Sequence, residues 1–171
     1  MRDLNEWAQE IHANNIAAGW WEGEPCIYTK MQLISTEIAE ATKGERKDLM
    51  DDKLPHRKMG EVELADALIR TLDLGGYLGL KYDFYPKWSV VSEDWTIGRK
   101  HLFLNRMLIL FSDSTLREQE MWYSSLVKNL IQVSDQQGYD IESAMIEKLE
   151  FNKTRPDHQP ENRAKAHGKK F

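Results

Sequence analysis

The chain contains 171 residues, of which 41% are hydrophobic and 30% are charged, and this length suits one domain at roughly 100–200 residues per domain. Its net charge of −5 argues against general binding to nucleic acid or to an anionic membrane. No apolar run approaches the roughly 18 residues of a membrane span. The lone Cys26 excludes an intramolecular disulfide and a multi-cysteine metal site. With a polar N-terminus that predicts no signal peptide, we expect a cytoplasmic protein.

Charge is distributed unevenly along the chain. Residues 1–74 contain 15 acidic and 9 basic residues, whereas residues 148–171 contain 7 basic and 3 acidic residues. The acidic part could bind the metal of a metal-bound phosphate ligand while the basic tail binds its phosphates. Alternatively, the two parts could simply attract each other.

The spacing of apolar residues predicts an all-α fold. A first helix begins after Asp3 as N-cap and ends before Gly19, and a second apolar stripe ends at Gly44. Residues 45–58 are charged and lack an apolar period, which predicts a mobile loop.

The remaining helices follow in the same way. A third helix is expected from about residue 60 to residue 74, with a stop at Gly75 and Gly76. The aromatic residues between 77 and 98 predict a packed loop, and residues 99–111 predict a helix buried on most sides.

Two further helices are marked by capping residues. Thr115 and Glu118 have capping-box spacing at the start of a helix that runs to Gly138. The last helix begins at Asp140 and ends near Lys153, because Pro156 disfavours helix before it.

Two pairs of carboxylates carry the most chemical information. Glu37 and Glu40 on the second helix, and Glu63 and Asp66 on the third, each stand three residues apart beside an apolar stripe. If these helices pack antiparallel, the four acids converge on a site suited to Mg²⁺ or Mn²⁺. The alternative is that all four are exposed and pair with basic residues nearby. Those bases are Arg46, Lys47, Arg57 and Arg70.

A basic set follows at the end of the last helix. Lys148, Asn152 and Arg155 share one helical face and could hold phosphate oxygens. Cations at a helix C-terminus also interact favourably with its dipole, so they need no ligand. The tail from residue 162 to residue 170 could fold over a nucleotide or remain a solvated terminus.

These motifs in this order resemble the MazG-like nucleoside triphosphate pyrophosphohydrolases of the all-α NTP pyrophosphatase superfamily, in particular the compact proteins of bacteriophages and bacteria. The resemblance covers residues 1 to about 80 and 138 to 171. It rests on six short stretches of the sequence. They are Gly19-Trp20-Trp21, Glu37-x-x-Glu40, Glu63-Leu-Ala-Asp-Ala-Leu-Ile-Arg70 with Asp73, Lys148-x-x-x-Asn152, Asn152-Lys-Thr-Arg-Pro156 and His167-Gly168-Lys169.

The resemblance implies a metal-dependent hydrolase that converts a nucleoside triphosphate to a monophosphate and pyrophosphate. By matching positions, the four acids would be Mg²⁺ ligands, with Mn²⁺ as a substitute, and Glu37 or Glu40 would also act as the general base. Lys148, Asn152 and Arg155 would hold phosphates or sugar. The MazZ-type members make dGTP or dATP the first substrates to test, and such a phage enzyme would act in the host cytoplasm.

Base recognition and assembly follow less directly from the motifs. Trp20 or Trp21 could stack on a base and Asn14 or Asn15 could read its edge, but packing or helix termination would equally explain them. Relatives form dimers or tetramers, so we expect a homo-oligomer. His12, His56 and His101 are expected to be structural or exposed.

The sequence also departs from the family in two places. Thr36 stands where the first motif often carries another glutamate. Residues 81–137 have no counterpart in short members, so we expect one domain over residues 1–171 with a helical insertion at 81–137 and a basic tail at 156–171. A non-catalytic helical interaction protein, whose insertion binds a partner, is the alternative function.

Overall fold

A computed structural model describes residues 1–23, 25–83, 91–158, 160–163 and 165–167. Over these ranges the chain is helical and forms no strand, which confirms the all-α prediction. The helices are α1 (Leu4–Ala17), α2 (Ile27–Lys47), α3 (Met59–Leu78), α4 (Ile97–Ser112), α5 (Leu116–Gln136), α6 (Ile141–Thr154) and the short α7 (Pro160–Arg163). Part of the predicted aromatic loop, at 84–90, and the tail residues Lys169 and Lys170 lie outside the described residues.

Helix α3 lies at the centre of the molecule. It packs against α1, α2, α5 and α6, and Leu64, Leu68 and Leu72 are completely buried. Burying a leucine side chain contributes about 1.5–3 kcal/mol to folding. The three leucines therefore make α3 a large contributor to the stability of the core around which the other helices pack. Within the described ranges, no helix combines the length and apolar character needed to cross a membrane.

Three predicted helix starts are confirmed by their caps. Asp3 accepts hydrogen bonds from the backbone of Asn5 and Glu6, and Asp140 accepts one from the backbone of Ser143. Thr115 and Glu118 form the reciprocal capping box at the start of α5. These side chains satisfy backbone N–H groups that have no partner inside the helix.

The predicted end of α2 at Gly44 is wrong, and the predicted loop after it is present but begins three residues later, at Asp48. The helix continues past Gly44 to Lys47, and Asp48 ends it in the left-handed conformation with φ 49°. The following segment is anchored, because Asp51 Oδ1 accepts hydrogen bonds from the backbone of Lys53 at 2.9 Å and of Leu54 at 2.7 Å. Leu54 is buried in turn.

The predicted stop of α3 at Gly75 and Gly76 is also wrong, and packing explains the glycines. The helix ends at Leu78 with Gly79 at φ 67°. A Cβ atom at Gly75 would lie 2.5 Å from Cε2 of the buried Tyr123. A Cβ atom at Gly76 would lie 2.8 Å from the carbonyl oxygen of Ala8. The glycines therefore let α5 and α1 approach α3 closely rather than ending it.

We expect Gly75→Ala to lower the free energy of unfolding by about 1–3 kcal/mol, because the ring of Tyr123 must shift to admit the methyl group. Gly98→Ala is the matched control, because no atom lies within 4 Å of the corresponding Cβ position. Urea denaturation of the two variants makes the comparison. Equal stability of both variants would mean that Tyr123 of α5 does not pack closely against Gly75 of α3.

Helices α4 and α5 form the body of the predicted insertion. They pack against each other, and α4 also contacts α2 while α5 contacts α3. Helix α4 is less buried than its apolar sequence predicts, since Leu102 is 71% and Ile109 is 59% exposed. Its inner face carries the buried Leu104, Met107 and Phe111, so α4 is an amphipathic surface helix.

A buried histidine joins α4 to α2. His101 Nδ1 lies 2.7 Å from Thr42 Oγ1, whose hydroxyl donates to the carbonyl oxygen of Ile38 at 2.9 Å. Nδ1 is therefore the donor to Thr42, and the buried Nε2 has no hydrogen-bond partner among the residues that the structure describes. Burial, with the positive charge of Lys100 as a lesser cause, lowers the pKa of His101 to about 4.

The lowered pKa of His101 predicts acid sensitivity. Its pKa is about 6.5 in the unfolded chain, so between pH 6.5 and pH 4 the unfolded state binds the additional proton. Stability is then lost as pH falls, by about 2 kcal/mol between pH 6.5 and pH 4.5. Urea denaturation across this range should show that the free energy of unfolding depends less steeply on pH in His101→Gln than in the wild-type protein. The same slope in both proteins would contradict this assignment.

Helix α6 is held in place by ion pairs with the segment before α3. The guanidinium of Arg57 donates to Glu147 at 2.8 Å, to Ser143 at 2.6 Å and to Glu61 at 2.7 Å. The hydrogen bond from Arg57 lowers the pKa of Glu147 to about 2. His56 Nε2 also lies 2.7 Å from Glu147, and its side chain is exposed. These contacts fix the face of α6 that carries Lys148 against α3.

Candidate metal centre

Three of the four carboxylates that the sequence predicts to meet, on α2 and α3, converge. One oxygen each from Glu37, Glu63 and Asp66 lies within 4.8 Å of the other two. Glu37 is 7% and Glu63 is 4% exposed, so the alternative of exposed acids is wrong for both, although Glu37 does pair with Arg70 as that alternative predicts. We call these three residues the acidic cluster.

The acidic cluster is electrostatically strained. Burial, followed by the charge of Asp66, raises the pKa of Glu63 to about 8. Burial also raises the pKa of Glu37, against the opposing effect of Arg70. Glu40 is half-buried and outside the cluster, but its charge contributes to raising the pKa of both glutamates. A bound cation would relieve this repulsion.

A buried lysine closes one side of the cluster. Lys148 Nζ of α6 lies 2.8 Å from Asp66 Oδ2, and the lysine side chain is 2% exposed. The sequence-predicted basic residue is therefore brought to the predicted acids. Lys148 also makes Asp66 a structural residue, because the ammonium would otherwise be buried without a counter-ion.

An arginine closes the other side. Arg70 Nε donates to Glu37 Oε1 at 2.7 Å, and its side chain is 39% exposed. Together with Lys148 it supplies two positive charges against the four carboxylates of Glu37, Glu40, Glu63 and Asp66. The ionised set retains two negative charges, which one divalent cation would balance.

The donor atoms present suit a hard divalent cation. Carboxylate oxygens are the ligands that Mg²⁺ and Mn²⁺ prefer, whereas thiolate and imidazole favour softer metals. Three such oxygens already lie within 4.8 Å of one another, and they are held from two rigid helices. The acidic cluster is therefore a candidate metal centre without rearrangement of the backbone.

The rest of the predicted basic face lies along α6. Asn152, one turn beyond Lys148, is half-buried, and its buried Oδ1 has no hydrogen-bond partner within the described part of the chain. Arg155 is the C-cap of α6, and its guanidinium lies 5.8 Å from the ring centre of Phe151. A buried acceptor without a donor is rare, which marks Asn152 as a position where a ligand donor would be stabilised.

A second polar cluster surrounds Asp73, further along the same face of α3. Its carboxylate lies 2.8 Å from His12 Nδ1, and accepts from Asn15 Nδ2 at 2.8 Å and Trp21 Nε1 at 2.9 Å. The ring of Trp21 stacks on Tyr77 with centroids 4.2 Å apart. Burial raises the pKa of Asp73 against these hydrogen bonds. Trp21, Asn15 and His12 thus all have structural contacts.

Trp20 takes a different position from Trp21. Its ring meets His158 edge-on with centroids 5.1 Å apart, and its carbonyl oxygen accepts from Lys30 Nζ at 2.9 Å. The start of the predicted basic tail therefore packs on the predicted base-stacking residue. Asn14 is exposed.

Arg70 is expected from the sequence only as a base beside exposed acids, and Asp73 only as part of a family motif, so neither is predicted to build the site. A signal for both was present, because Glu63, Asp66, Arg70 and Asp73 recur at helical spacing and share one face of α3. The pairing of Asp66 with Lys148 had no such signal, since 82 positions of sequence separate them.

The comparisons with known proteins leave the resemblance as a prediction. No protein-family model, no curated protein and no solved structure matches this chain. What the structure establishes is an all-α fold that brings the acids of α2 and α3 and a lysine of α6 to one place.

Proposed function

We propose that the protein is a metal-dependent hydrolase that converts nucleoside triphosphates to monophosphate and pyrophosphate. The observation that carries the proposal is the convergence of Glu37, Glu63 and Asp66 within 4.8 Å. Burying like charges at this distance costs free energy, so a fold that retains them has a use for them. Divalent cation binding is the simplest such use, with Mg²⁺ or Mn²⁺ favoured by the oxygen ligands.

The acidic and the basic residues of the site would have different roles in this reaction. Glu37, Glu63 and Asp66, with Glu40 beside them, would hold the metal, and Glu37 or Glu40 would accept a proton from the attacking water. A bound divalent cation would neutralise phosphate charge and make water more acidic. Lys148 would keep Asp66 oriented and add positive charge behind the phosphates, and Arg155 would add more at the end of α6.

The surroundings suit an extended ligand such as a nucleotide. Asn152 Oδ1 is a buried acceptor to which no described residue donates, which matches the hydroxyl of a sugar better than the oxygens of a phosphate. The aromatic group around Asp73 lies seven residues, or about 10 Å of helix rise, beyond Asp66. Trp21 at that end could contact a base, as could Trp20 from its separate position against His158, and dGTP and dATP are the first candidates.

An interaction role for the insertion is supported by a different observation. Leu102 and Ile109 of α4 are 71% and 59% exposed, and a partner or a second copy of the chain in a dimer or tetramer would cover them. This role is compatible with catalysis, so the exposed face of α4 does not decide against an enzyme.

Product analysis tests the proposed function. The protein is incubated with Mg²⁺ and a panel of dNTPs and NTPs, and monophosphate, diphosphate, pyrophosphate and orthophosphate are separated. We expect monophosphate and pyrophosphate in equal amounts from a preferred purine deoxynucleotide. Release of orthophosphate with diphosphate would exclude the proposed reaction, and no turnover of any nucleotide would favour the interaction protein.

A further inference from the structure

Arg70 lies at the exposed edge of the acidic cluster. It stands one helical turn after Asp66 on α3, and its Nε is fixed 2.7 Å from Glu37 Oε1. The arginine side chain is 39% exposed, whereas the side chain of Glu37 is 9% exposed. The guanidinium therefore bridges the buried acids and the solvent.

Most hydrogen-bonding capacity of Arg70 is unused. A guanidinium has five N–H donors, and the hydrogen bond to Glu37 uses one. Among the described residues, none accepts a hydrogen bond from its Nη1 or Nη2 atoms. Lys148 differs, because its ammonium is held by Asp66 and its side chain is 2% exposed. Of these two cations, Arg70 is the one that can reach a ligand without breaking a buried ion pair.

The unused donors of Arg70 fit one chemical class of ligand. A planar guanidinium pairs with phosphate through two parallel hydrogen bonds. A phosphate chain bound to a metal at the acidic cluster would lie close to four carboxylates, and a fixed cation at the edge would offset their repulsion. We propose that Arg70 binds the phosphate chain of the substrate directly, through its terminal N–H groups. This inference rests on the proposed function.

Binding of imidodiphosphate, a pyrophosphate analogue with a P–N–P link, tests the inference without turnover. Calorimetry at saturating Mg²⁺ compares the wild-type protein with Arg70→Ala, Arg70→Lys and the control Arg106→Ala, whose arginine is exposed on α4. We expect Arg70→Ala to weaken binding 10- to 100-fold, since a hydrogen bond to a charged group contributes about 1.5–3 kcal/mol. Arg70→Lys keeps the charge without the planar fork and should be intermediate, and Arg106→Ala should match the wild type.

A purely positioning role for Arg70 gives a different result. If Arg70 only orients Glu37, Arg70→Ala lowers the affinity for Mn²⁺ alone but leaves imidodiphosphate binding at saturating metal unchanged, and the inference is overturned. Absence of imidodiphosphate binding to the wild-type protein also overturns it. Failure of the proposed function is distinct, because it appears as a wild-type protein that hydrolyses no nucleotide.

Discussion

Replacing Asp66 with alanine should lower the free energy of unfolding by about 3 kcal/mol, because it leaves the Lys148 ammonium buried without its counter-ion. Lys148 is 1% exposed and has its ion pair with Asp66 at 2.8 Å. In a chain of this size the change corresponds to a fall of roughly 6–12 °C in Tm. Urea and thermal denaturation measure both quantities.

A double variant separates the buried charge from other effects of the substitution. Asp66→Ala combined with Lys148→Met removes both partners while keeping a long side chain in place, so it should regain most of the lost stability. The ion pair with Lys148 thus outweighs the repulsion of Asp66 by the other acids of the cluster. A single variant as stable as the wild-type protein would contradict the ion pair.

Replacing Glu63 with glutamine should act in the opposite direction on stability. Burial and the charge of Asp66 raise the pKa of Glu63 to about 8 in the folded protein, whereas the unfolded carboxyl has a pKa near 4.3. Between these values the folded state binds the additional proton, so Glu63 costs stability as pH rises. Glutamine carries no such cost, and Glu63→Gln should stabilise the metal-free protein by about 1–3 kcal/mol at pH 7.

The same substitution should abolish the proposed hydrolysis. A neutral amide is a poor substitute for a carboxylate ligand, so nucleotide hydrolysis should be lost. A metal that binds the folded state raises Tm, so Mn²⁺ should raise the Tm of the wild-type protein but not that of Glu63→Gln. The stabilisation should shrink as pH falls toward 5, since Glu63 is then protonated in the folded protein and increasingly so in the unfolded chain. Thermal melts from pH 5 to pH 8 test the trend. A Glu63→Gln protein that is less stable than wild type at pH 7 would contradict the raised pKa.

Local patterns in the sequence predict much of this fold. Asp3, Thr115 and Asp140 mark helix starts because capping depends on residues a few positions apart. The carboxylates of α2 and α3 are also predictable, since each pair belongs to one helix and the two helices are neighbours along the chain. Their convergence needed only antiparallel packing.

Features that depend on distant residues escape this reasoning. A glycine at position 75 predicts the end of a helix, because glycine is common at helix ends. Only the position of Tyr123 in the fold shows that this glycine is needed for close packing instead. The exposure of Leu102 and Ile109 on α4 likewise depends on which face α2 and α5 cover. The contact of Lys148 with Asp66 is the most consequential case, because it makes a predicted metal ligand also one half of an ion pair with a buried lysine.

Calorimetric titration with Mn²⁺ at pH 7 tests most directly whether the acidic cluster is a metal centre. The wild-type protein is compared with Glu63→Gln and with Glu93→Gln, which removes one exposed acid outside the cluster. We predict saturable binding to the wild-type protein and to Glu93→Gln, with release of protons as Glu63 ionises, and loss of that binding in Glu63→Gln. Equal Mn²⁺ binding by all three proteins, or by none of them, would contradict a metal centre formed by Glu37, Glu63 and Asp66.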